Sequence, residues 1–481
     1  RTIQSIKDSP SPYFKNFVIP TVFKPQQVNQ RLIYKSLFQG KFTYIFKNKQ
    51  DFSSDFADLT YKNIVLFIFF SKKHYEPFFF STFESRFKIS QPTANKRQTS
   101  SSGKSVRQKR IQTLKSHIAM CYLRFDKAQM TNLQDSLYKE MLITNRSGAY
   151  CSTTLVGCNI RKYDGLLVIP VPELDDENHV LLSSLDETII QHGAEFNLGL
   201  HKYEGENYSP KGHKYIVSFE WEQVPTWTYR VGGVLLKKEI SFDTSIYRIY
   251  IRYTLLDAHS ETTLRLRPFL AFRSVRQWTH ENNVANRSYD EVENGIRMCL
   301  YQGYPDLYMQ TSKPAQWNYC PDWYRGMDYP KERERGYYAT EDLLVPGYFE
   351  MPIHKGETIT FSAGVAPIEP KQIDVMLEKE IANIDHRDSF YHCLVNAAHQ
   401  FRVNKDKESY ILAGYPWFKP RARDTFISMP GLTLAIGERE RFEAYMATAE
   451  KALYNFMRKE PMSVNIYEME QPDTLLWATW T

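Results

Sequence analysis

The feature that most constrains the fold is a series of short apolar segments, separated by turn residues, between residues 166 and 363. Segments of this kind, rich in Val, Ile, Tyr, Phe and Thr, predict β-strands. Gly232 and Gly233 lie between two of them and predict a hairpin turn, because glycine tolerates positive φ. Many strands with few helices predict a large antiparallel β-sandwich. The predicted strands are 166–170, 214–219, 226–231, 234–242, 247–255, 262–272 and 358–363.

Helical spacing replaces the strand pattern towards the end of the chain. Residues 374–403 place apolar side chains on one helical face, and 424–436 do the same up to Gly437, a residue that commonly ends helices. Residues 438–459 form a further amphipathic helix. Successive helices joined by short loops, after a sandwich, predict the first helices of an (α/α)6 barrel.

The first 119 residues differ from the rest in charge and composition. They carry 21 Lys and Arg against 6 Asp and Glu, a net charge of +15, whereas the remaining 362 residues have a net charge of −9. They also contain no Met, Trp or Cys. Three interpretations stay open: a basic arm for nucleic acid or a membrane surface, a divergent domain, or upstream DNA translated in frame before Met120. The third is favoured, so this segment is expected to be disordered or non-native.

The expected organisation is therefore a mixed, multidomain fold. No nucleic-acid partner is expected, because the basic excess is confined to the segment that the favoured interpretation treats as non-native. No stretch reaches the roughly 18–20 apolar residues that a membrane helix needs, so no membrane partner is expected either. The predicted domains are 1–119, unstructured or spurious; 120–368, the β-sandwich; and 369–481, the partial (α/α)6 domain.

The cysteines give no sign of a metal site. The six cysteines form no CxxC pair and no zinc-ligand spacing, which favours thiols in a reducing compartment, with a structural disulfide left open. No charged-then-apolar signal segment follows Met120, which favours the cytoplasm. The sequence predicts no metal and no cofactor.

The most distinctive segment is residues 413–432, AGYPWFKPRARDTFISMPGL. It joins an aromatic turn to an Arg-Asp pair at the start of a helix. A carboxylate accepts hydrogen bonds from sugar hydroxyls, an adjacent guanidinium donates others, and a helix N-terminus favours the anionic carboxylate. Arg423 and Asp424 are therefore candidate sugar-binding residues, and Trp417 is a candidate apolar wall.

Four segments of the predicted sandwich carry a resemblance to a known family. They are TNRSGAYCSTTLVGCNIRKYDGLLV (144–168), LLSSLDET (181–188), PTWTYRVGG (225–233) and LRLRPFLAFR (264–273). In this order they resemble the N-terminal domain of bacterial and archaeal glycogen debranching enzymes, whose pattern is close to NGxGGYaSgT followed by RRYHGLLVA. This chain departs from that pattern at Arg146, Ala149 and Asp164. Asp164 replaces a usual His, so no family role is carried over to it.

The resemblance continues in the helical part. Residues 413–432 are similar to the family segment GYPWFxxWGRDTxISLPGL, although Arg421 and Ala422 replace its usual Trp-Gly. The family implies that the Arg-Asp pair holds the sugar in the −1 subsite. Residues 465–480, NIYEMEQPDTLLWATW, resemble a later family segment. That match implies that Asp473 binds a glucose hydroxyl and that Trp477 lines the pocket.

Each candidate site has a structural or chemical alternative. The Arg-Asp pair could merely cap its helix, Asp424 could be a catalytic carboxylate, and Asp473 could be an N-cap. Arg161, Lys162 and Tyr163 either line a sugar site or mark a strand edge. The aromatic run 317–324 either stacks on glucose rings or forms a packed loop, and the loop is favoured.

The resemblance implies the hydrolysis of α-1,6-glucosidic branch points, an amylo-α-1,6-glucosidase activity on glycogen or a branched α-glucan oligosaccharide, without metal or cofactor. Such hydrolysis needs a carboxylic acid and a second carboxylate. The family carries both on later barrel helices, so we expect them downstream of Thr481, in which case this chain is a C-terminally truncated, inactive fragment. Two alternatives are a related sandwich-plus-barrel disaccharide phosphorylase and a non-catalytic glucan-binding fragment.

Overall fold

The computed structural model describes residues 122–405, 407–462 and 464–481. These residues fall within one compact unit. The predicted disorder or non-native origin of residues 1–119 lies outside the described residues. Within the described part, no helix combines the length and the apolar character needed to cross a bilayer.

About the first two thirds of the described chain forms two large antiparallel sheets. One has the strand order β1-β9-β10-β11-β12-β19-β16-β15-β14, and the other β2-β3-β4-β5-β13-β18-β17-β7-β8, with β6 beside β5. The strands are β1 (Arg124–Asp126), β2 (Glu140–Thr144), β3 (Tyr150–Thr154), β4 (Gly165–Pro170), β5 (Asn178–Gln191), β6 (Ala194–Asn197), β7 (Leu200–Tyr203), β8 (Asn207–Lys211), β9 (Ile216–Trp221), β10 (Pro225–Val231), β11 (Val234–Phe242), β12 (Arg248–Asp257), β13 (Thr262–Ser274), β14 (Asp290–Val292), β15 (Gly295–Met298), β16 (Leu307–Thr311), β17 (Gln316–Asp328), β18 (Thr340–Ile353) and β19 (Thr358–Gly364).

A single apolar core joins the two sheets. Leu167 and Leu181 from one sheet and Ile249 and Ile251 from the other are fully buried in the same cluster. Fully burying each such side chain contributes about 1.5–3 kcal/mol. These observations confirm the predicted β-rich fold, and the predicted strands agree with the observed ones to within about three residues at each end.

The hairpin between β10 and β11 shows how the sequence sets the register. Gly232 and Gly233 have φ of +56° and +84°, which side chains rarely adopt. Val231 therefore pairs directly with Val234 across the turn. A Cβ at Gly232 would also lie 2.7 Å from the ring of Phe196, so a side chain there would require that ring to move.

The packed-loop prediction for residues 317–324 is wrong, because they lie inside β17. Trp317 pairs with Phe349 of β18, with the rings 4.7 Å apart, and Trp323 is buried. Pro321 reads as a strand breaker in the sequence. The structure accommodates it at a register shift between Tyr319 and Asp322.

Helices dominate after the sandwich. The described helices are α1 (Lys127–Thr131), α2 (Leu133–Ser136), α3 (Pro330–Glu334), α4 (Pro370–Ala382), α5 (Phe390–Gln400), α6 (Ala422–Leu432), α7 (Arg439–Arg458) and α8 (Thr474–Trp480). The hairpin β20 (Arg402–Lys405) and β21 (Glu408–Ile411) separates α5 from α6. The described part is therefore mostly β-sheet with few helices, and the (α/α)6 barrel stays a prediction.

Local capping explains two of the helix boundaries. The single helix expected over 374–403 is two helices, because the Ser389 hydroxyl accepts a hydrogen bond from the His392 amide and starts α5 afresh. Gly437, with φ of +81°, donates its amide to the carbonyl of Leu434, which confirms it as a terminating residue. Apolar periodicity alone does not reveal the break before Ser389.

The sandwich and the α5–β20 segment meet through backbone contacts. The Asn404 amide donates to the carbonyl of Arg146, and the Thr144 hydroxyl donates to the carbonyl of Gln400. Beside this junction, burial and the nearby guanidinium groups of Arg402 and Arg441 lower the pKa of His399 to about 4.

His399 is expected to make stability depend on pH. Because its pKa is lower in the folded protein than the unfolded value near 6.5, its contribution is complete above pH 6.5 and is lost as the pH falls through about 4. The loss is of the order of 2 kcal/mol. Urea unfolding between pH 4.5 and 7 should therefore show a shallower slope for His399→Gln. Equal slopes in the wild-type protein and in His399→Gln would contradict the assignment.

Candidate functional site

The N-terminus of α6 is fixed by a second segment of the chain. The Ala422 amide donates to the carbonyl of Tyr467, and the Tyr467 amide donates to the carbonyl of Pro420. This short parallel bridge lies next to Arg421, the N-cap residue of α6. It brings residues 465–480 against the Arg-Asp pair, although about fifty residues separate them in sequence.

Three of the predicted sugar-binding residues meet at this place. Arg423 Nε lies 3.2 Å from Asp473 Oδ2, and Trp477 Nε1 donates to the same oxygen at 3.1 Å. The Arg423 and Asp473 side chains are 49% and 33% exposed, so a ligand can reach both. We call Arg423, Asp473 and Trp477 the Arg-Asp-Trp cluster.

The cluster leaves several polar atoms available. Within the described residues, the two terminal nitrogens of Arg423 and Oδ1 of Asp473 have no hydrogen-bond partner. The guanidinium and the carboxylate thus hold each other in place while each presents unused donors or acceptors. That arrangement suits a ligand with several hydroxyl groups.

Asp424 follows Arg423 in the first turn of α6. Its carbonyl accepts a hydrogen bond from the Ser428 hydroxyl at 2.7 Å, but its carboxylate has no ion pair or hydrogen bond among the described residues. The N-terminus of a helix is the end at which acidic side chains are commonly placed. Asp424 is therefore an acceptor with unused capacity beside the cluster.

Asp473 stands at the N-cap position of α8, but its side chain does not cap that helix. Its carboxylate forms an ion pair with Arg423 and accepts a hydrogen bond from the indole of Trp477, rather than from the first-turn amides. Trp477 also packs against the core of the helical part. The geometry therefore differs from the simple N-cap alternative for Asp473.

Trp417 lies in a different environment from the cluster. Its ring is 5.0 Å from the ring of Tyr163 and 5.6 Å from Cζ of Arg161, and its carbonyl accepts a hydrogen bond from Arg276. These three contacts of Trp417 are with residues of the sandwich. Its predicted role as a wall of the sugar site stays a prediction.

The segment around Asp164 has a structural role. Arg161 and Tyr163 are almost fully buried, so they do not form an open sugar-lining edge. The Asp164 carboxylate accepts hydrogen bonds from the amides of Ile160 and Arg161 and from the Ser152 hydroxyl, each at 2.9 Å. Burial raises the pKa of Asp164 to about 6. Asp164 therefore closes the turn before β4.

Replacing Asp164 with alanine is expected to lower the free energy of unfolding by about 2–4 kcal/mol. Two buried amides and a hydroxyl would lose their acceptor, and each such loss costs about 1–3 kcal/mol before relaxation. Urea unfolding measures the change. Asp322→Ala, at an exposed aspartate of β17, is the matched control and should cost less than 1 kcal/mol; a similar cost for both variants would contradict the role given to Asp164.

A second contact between sandwich and helical part was not predicted. The Tyr467 hydroxyl donates to Asp176 at 2.6 Å, and Lys419 Nζ lies 2.5 Å from the same carboxylate oxygen. Tyr467 and Asp176 are 291 positions apart, so no local pattern could pair them. This contact fixes the aromatic turn of residues 413–421 to the loop between β4 and β5.

No metal site is evident in the described part of the chain: no three His, Cys, Asp or Glu side chains come close enough together to hold an ion.

Comparison with protein families gives two matches. The family described as "Glycogen debranching enzyme N terminal" matches residues 139–360, which include most of the sandwich. The family described as "Amylo-alpha-1,6-glucosidase" matches residues 394–461, which include Arg423 and Asp424. Together the two matches span more than half of the chain.

Two solved structures show distant likenesses to this chain. A bacterial glucoamylase complexed with acarbose is 8% identical with a TM-score of 0.34, over 67% of this chain and 51% of the glucoamylase chain. A polysaccharide lyase is 10% identical with a TM-score of 0.20, over 50% of this chain and 34% of its own. This chain thus spans about half the length of the glucoamylase. No curated protein sequence matches it significantly.

Proposed function

We propose that this chain, which belongs to the glycogen debranching enzyme family, binds branched α-glucans and supplies the glucan-binding site of an amylo-α-1,6-glucosidase, an enzyme that hydrolyses α-1,6 branch points. The observation that carries the proposal is the Arg-Asp-Trp cluster beside Asp424. The family matches support a glycosidase that processes glucans, and the specific linkage is the proposed part.

The cluster suits a terminal glucosyl unit. Asp424 and Oδ1 of Asp473 can each accept a hydrogen bond from a sugar hydroxyl, and the terminal nitrogens of Arg423 can donate to the hydroxyl or ring oxygens. The indole of Trp477, held by its hydrogen bond to Asp473, offers an apolar face to the C–H groups of the ring. Charged groups that are already held in place lose little entropy when the sugar binds.

The proposal gives these residues binding roles. Hydrolysis itself requires a carboxylic acid that protonates the leaving oxygen and a carboxylate that activates water or attacks the sugar. Asp424 remains the alternative candidate for one of these two groups. The proposal assigns the acid and the base to no other described residue.

The direct test incubates the full chain with a limit dextrin that carries single α-1,6-linked glucosyl branches, and with linear maltoheptaose as control. The proposal expects tighter binding of the branched substrate than of maltoheptaose, and glucose as the sugar in any product. Phosphate-dependent release of glucose 1-phosphate would contradict hydrolysis and favour a phosphorylase. Binding without either product would favour a glucan-binding role for this chain, and equal or absent binding of the two substrates would contradict the proposal.

We also propose a cytoplasmic location. It is supported by the five cysteines of the described part, which are thiols rather than disulfides. Burial raises the pKa of both Cys151 and Cys158 to about 12, so these thiols are protonated and unreactive at neutral pH. Glycogen, the proposed substrate, would be met in that compartment.

A further inference from the structure

A cluster of positive charge lies where α5, β20 and α7 meet the sandwich, and nothing in the proposed glucan site uses it. Glu438, the N-cap residue of α7, stands at its centre. Its carboxylate contacts His399 Nε2 at 3.1 Å, Arg441 Nε at 3.3 Å and the guanidinium of Arg402. One carboxylate is thus shared among three basic side chains.

Arg402 is the unusual member of this cluster. Its side chain is only 4% exposed, and its Nε and Nη1 have no hydrogen-bond partner in the described structure. A buried guanidinium normally uses most of its five donors, because each unpaired buried donor costs free energy. The contact with Glu438 therefore accounts for only part of what Arg402 can bind.

The surrounding charges are not balanced. Arg146, in the loop between β2 and β3, lies beside β20, since its carbonyl accepts the Asn404 amide at 2.7 Å. The charges of Arg441 and Arg146 add to burial in lowering the pKa of Arg402 to about 10. The negative charges near Arg146, Arg402 and Arg441 are those of Glu438 and the exposed Asp385. His399 is neutral at pH 7, because its pKa is lowered to about 4. Three guanidinium groups thus face two carboxylates.

We propose that Arg146, Arg402 and Arg441 form a binding site for a phosphate-class oxyanion, either inorganic phosphate or the phosphate group of a sugar phosphate. Guanidinium groups bind such oxygens in paired, planar hydrogen bonds. The N-terminus of the 20-residue helix α7 adds a favourable dipole at the same place. The exposed Arg146 and the partly exposed Arg441 give access from solvent, with Arg402 behind them.

The bound anion would have a structural consequence. Arg146 belongs to the sandwich, whereas Arg402 and Arg441 belong to the part of the chain that carries the glucan site. An oxyanion held by all three would strengthen their junction. Arg146 is also one of the positions at which this chain departs from the family pattern, so the site is a feature of this chain.

The test measures the thermal unfolding midpoint of the full chain against sodium phosphate concentration, with ionic strength held constant by sodium chloride. The proposal expects a saturable rise in the midpoint, because a ligand that binds only the folded state stabilises it. Arg441→Gln should raise the phosphate concentration at half-saturation about tenfold or more, the effect of losing one charge-assisted contact. Arg146→Gln should weaken binding in the same direction and is the second variant if Arg441→Gln does not fold.

Two further variants make the test specific. Glu438→Gln removes the competing carboxylate and should lower the half-saturating concentration. Arg439→Gln is the matched control, because Arg439 lies on α7, is 84% exposed and pairs with Glu443. A phosphate effect that is lost equally in Arg439→Gln and Arg441→Gln would overturn the proposal.

Glucose 1-phosphate and glucose 6-phosphate distinguish the two sources of the phosphate group. Half-saturation by a sugar phosphate at a lower concentration than inorganic phosphate supports the site and assigns it to a phosphorylated sugar. Equal or weaker binding of both sugar phosphates supports the site and assigns it to inorganic phosphate. If all three anions fail to give a saturable effect in the wild-type protein, the proposed site is refuted.

Discussion

Replacing Arg423 with glutamine is expected to weaken the binding of a branched α-glucan oligosaccharide about ten- to a hundredfold. Arg423 presents two terminal nitrogens to a ligand and holds Asp473 in place through Nε. A hydrogen bond from a charged donor contributes about 1.5–3 kcal/mol, which corresponds to that range of affinity. Isothermal titration of the full chain with a glucosyl-branched maltooligosaccharide measures the effect.

The matched control for Arg423 is Arg439→Gln, whose exposed guanidinium lies on the neighbouring helix α7. It should bind the oligosaccharide like the wild-type protein. The free energy of unfolding should change by less than about 1 kcal/mol in both variants, because both ion pairs are largely exposed. Unchanged glucan affinity in Arg423→Gln would remove this residue from the site.

Replacing Asp424 with asparagine is expected to weaken glucan binding by a similar or larger factor. Its carboxylate has no partner among the described residues and stands at a helix N-terminus, so its acceptor capacity is available to sugar hydroxyls. An amide of the same shape keeps one weaker acceptor and adds donors. The same titration measures the loss, with Glu440→Gln in the first turn of α7 as the matched control.

The Asp424 variant also separates its two candidate roles. If Asp424 binds the sugar, the dissociation constant rises. If Asp424 is instead a catalytic carboxylate, the dissociation constant stays near the wild-type value while glucose release from the branched dextrin falls by several orders of magnitude. The second pattern would contradict the role proposed here.

Much of the sandwich could be predicted because its signals are local. In β12, Ile249, Ile251 and Tyr253 alternate with side chains on the other face, and two glycines with positive φ set the β10–β11 hairpin. Period-two alternation and turn chemistry need no information from distant residues. Local signals fail for β17, because Pro321 interrupts the strand pattern. Only the pairing with β18, a segment distant in sequence, shows that these residues form a strand.

The sequence supplied the candidate residues of the proposed site but not their geometry. Arg423, Asp473 and Trp477 were candidates through a family resemblance, yet no local pattern indicates that Asp473 Oδ2 joins the other two. Trp417, close to Arg423 in sequence, packs against Tyr163 of the sandwich. The unpaired donors of Arg402 depend on burial, which the sequence does not give.

The most direct test of the central claim is a crystal structure of the full chain with a glucosyl-branched maltooligosaccharide. The account predicts a terminal glucosyl unit with hydroxyls within about 3.2 Å of the Asp424 and Asp473 carboxylates and of the Arg423 terminal nitrogens, beside the Trp477 indole. A sugar bound elsewhere, with these four side chains unchanged and unliganded, would contradict it.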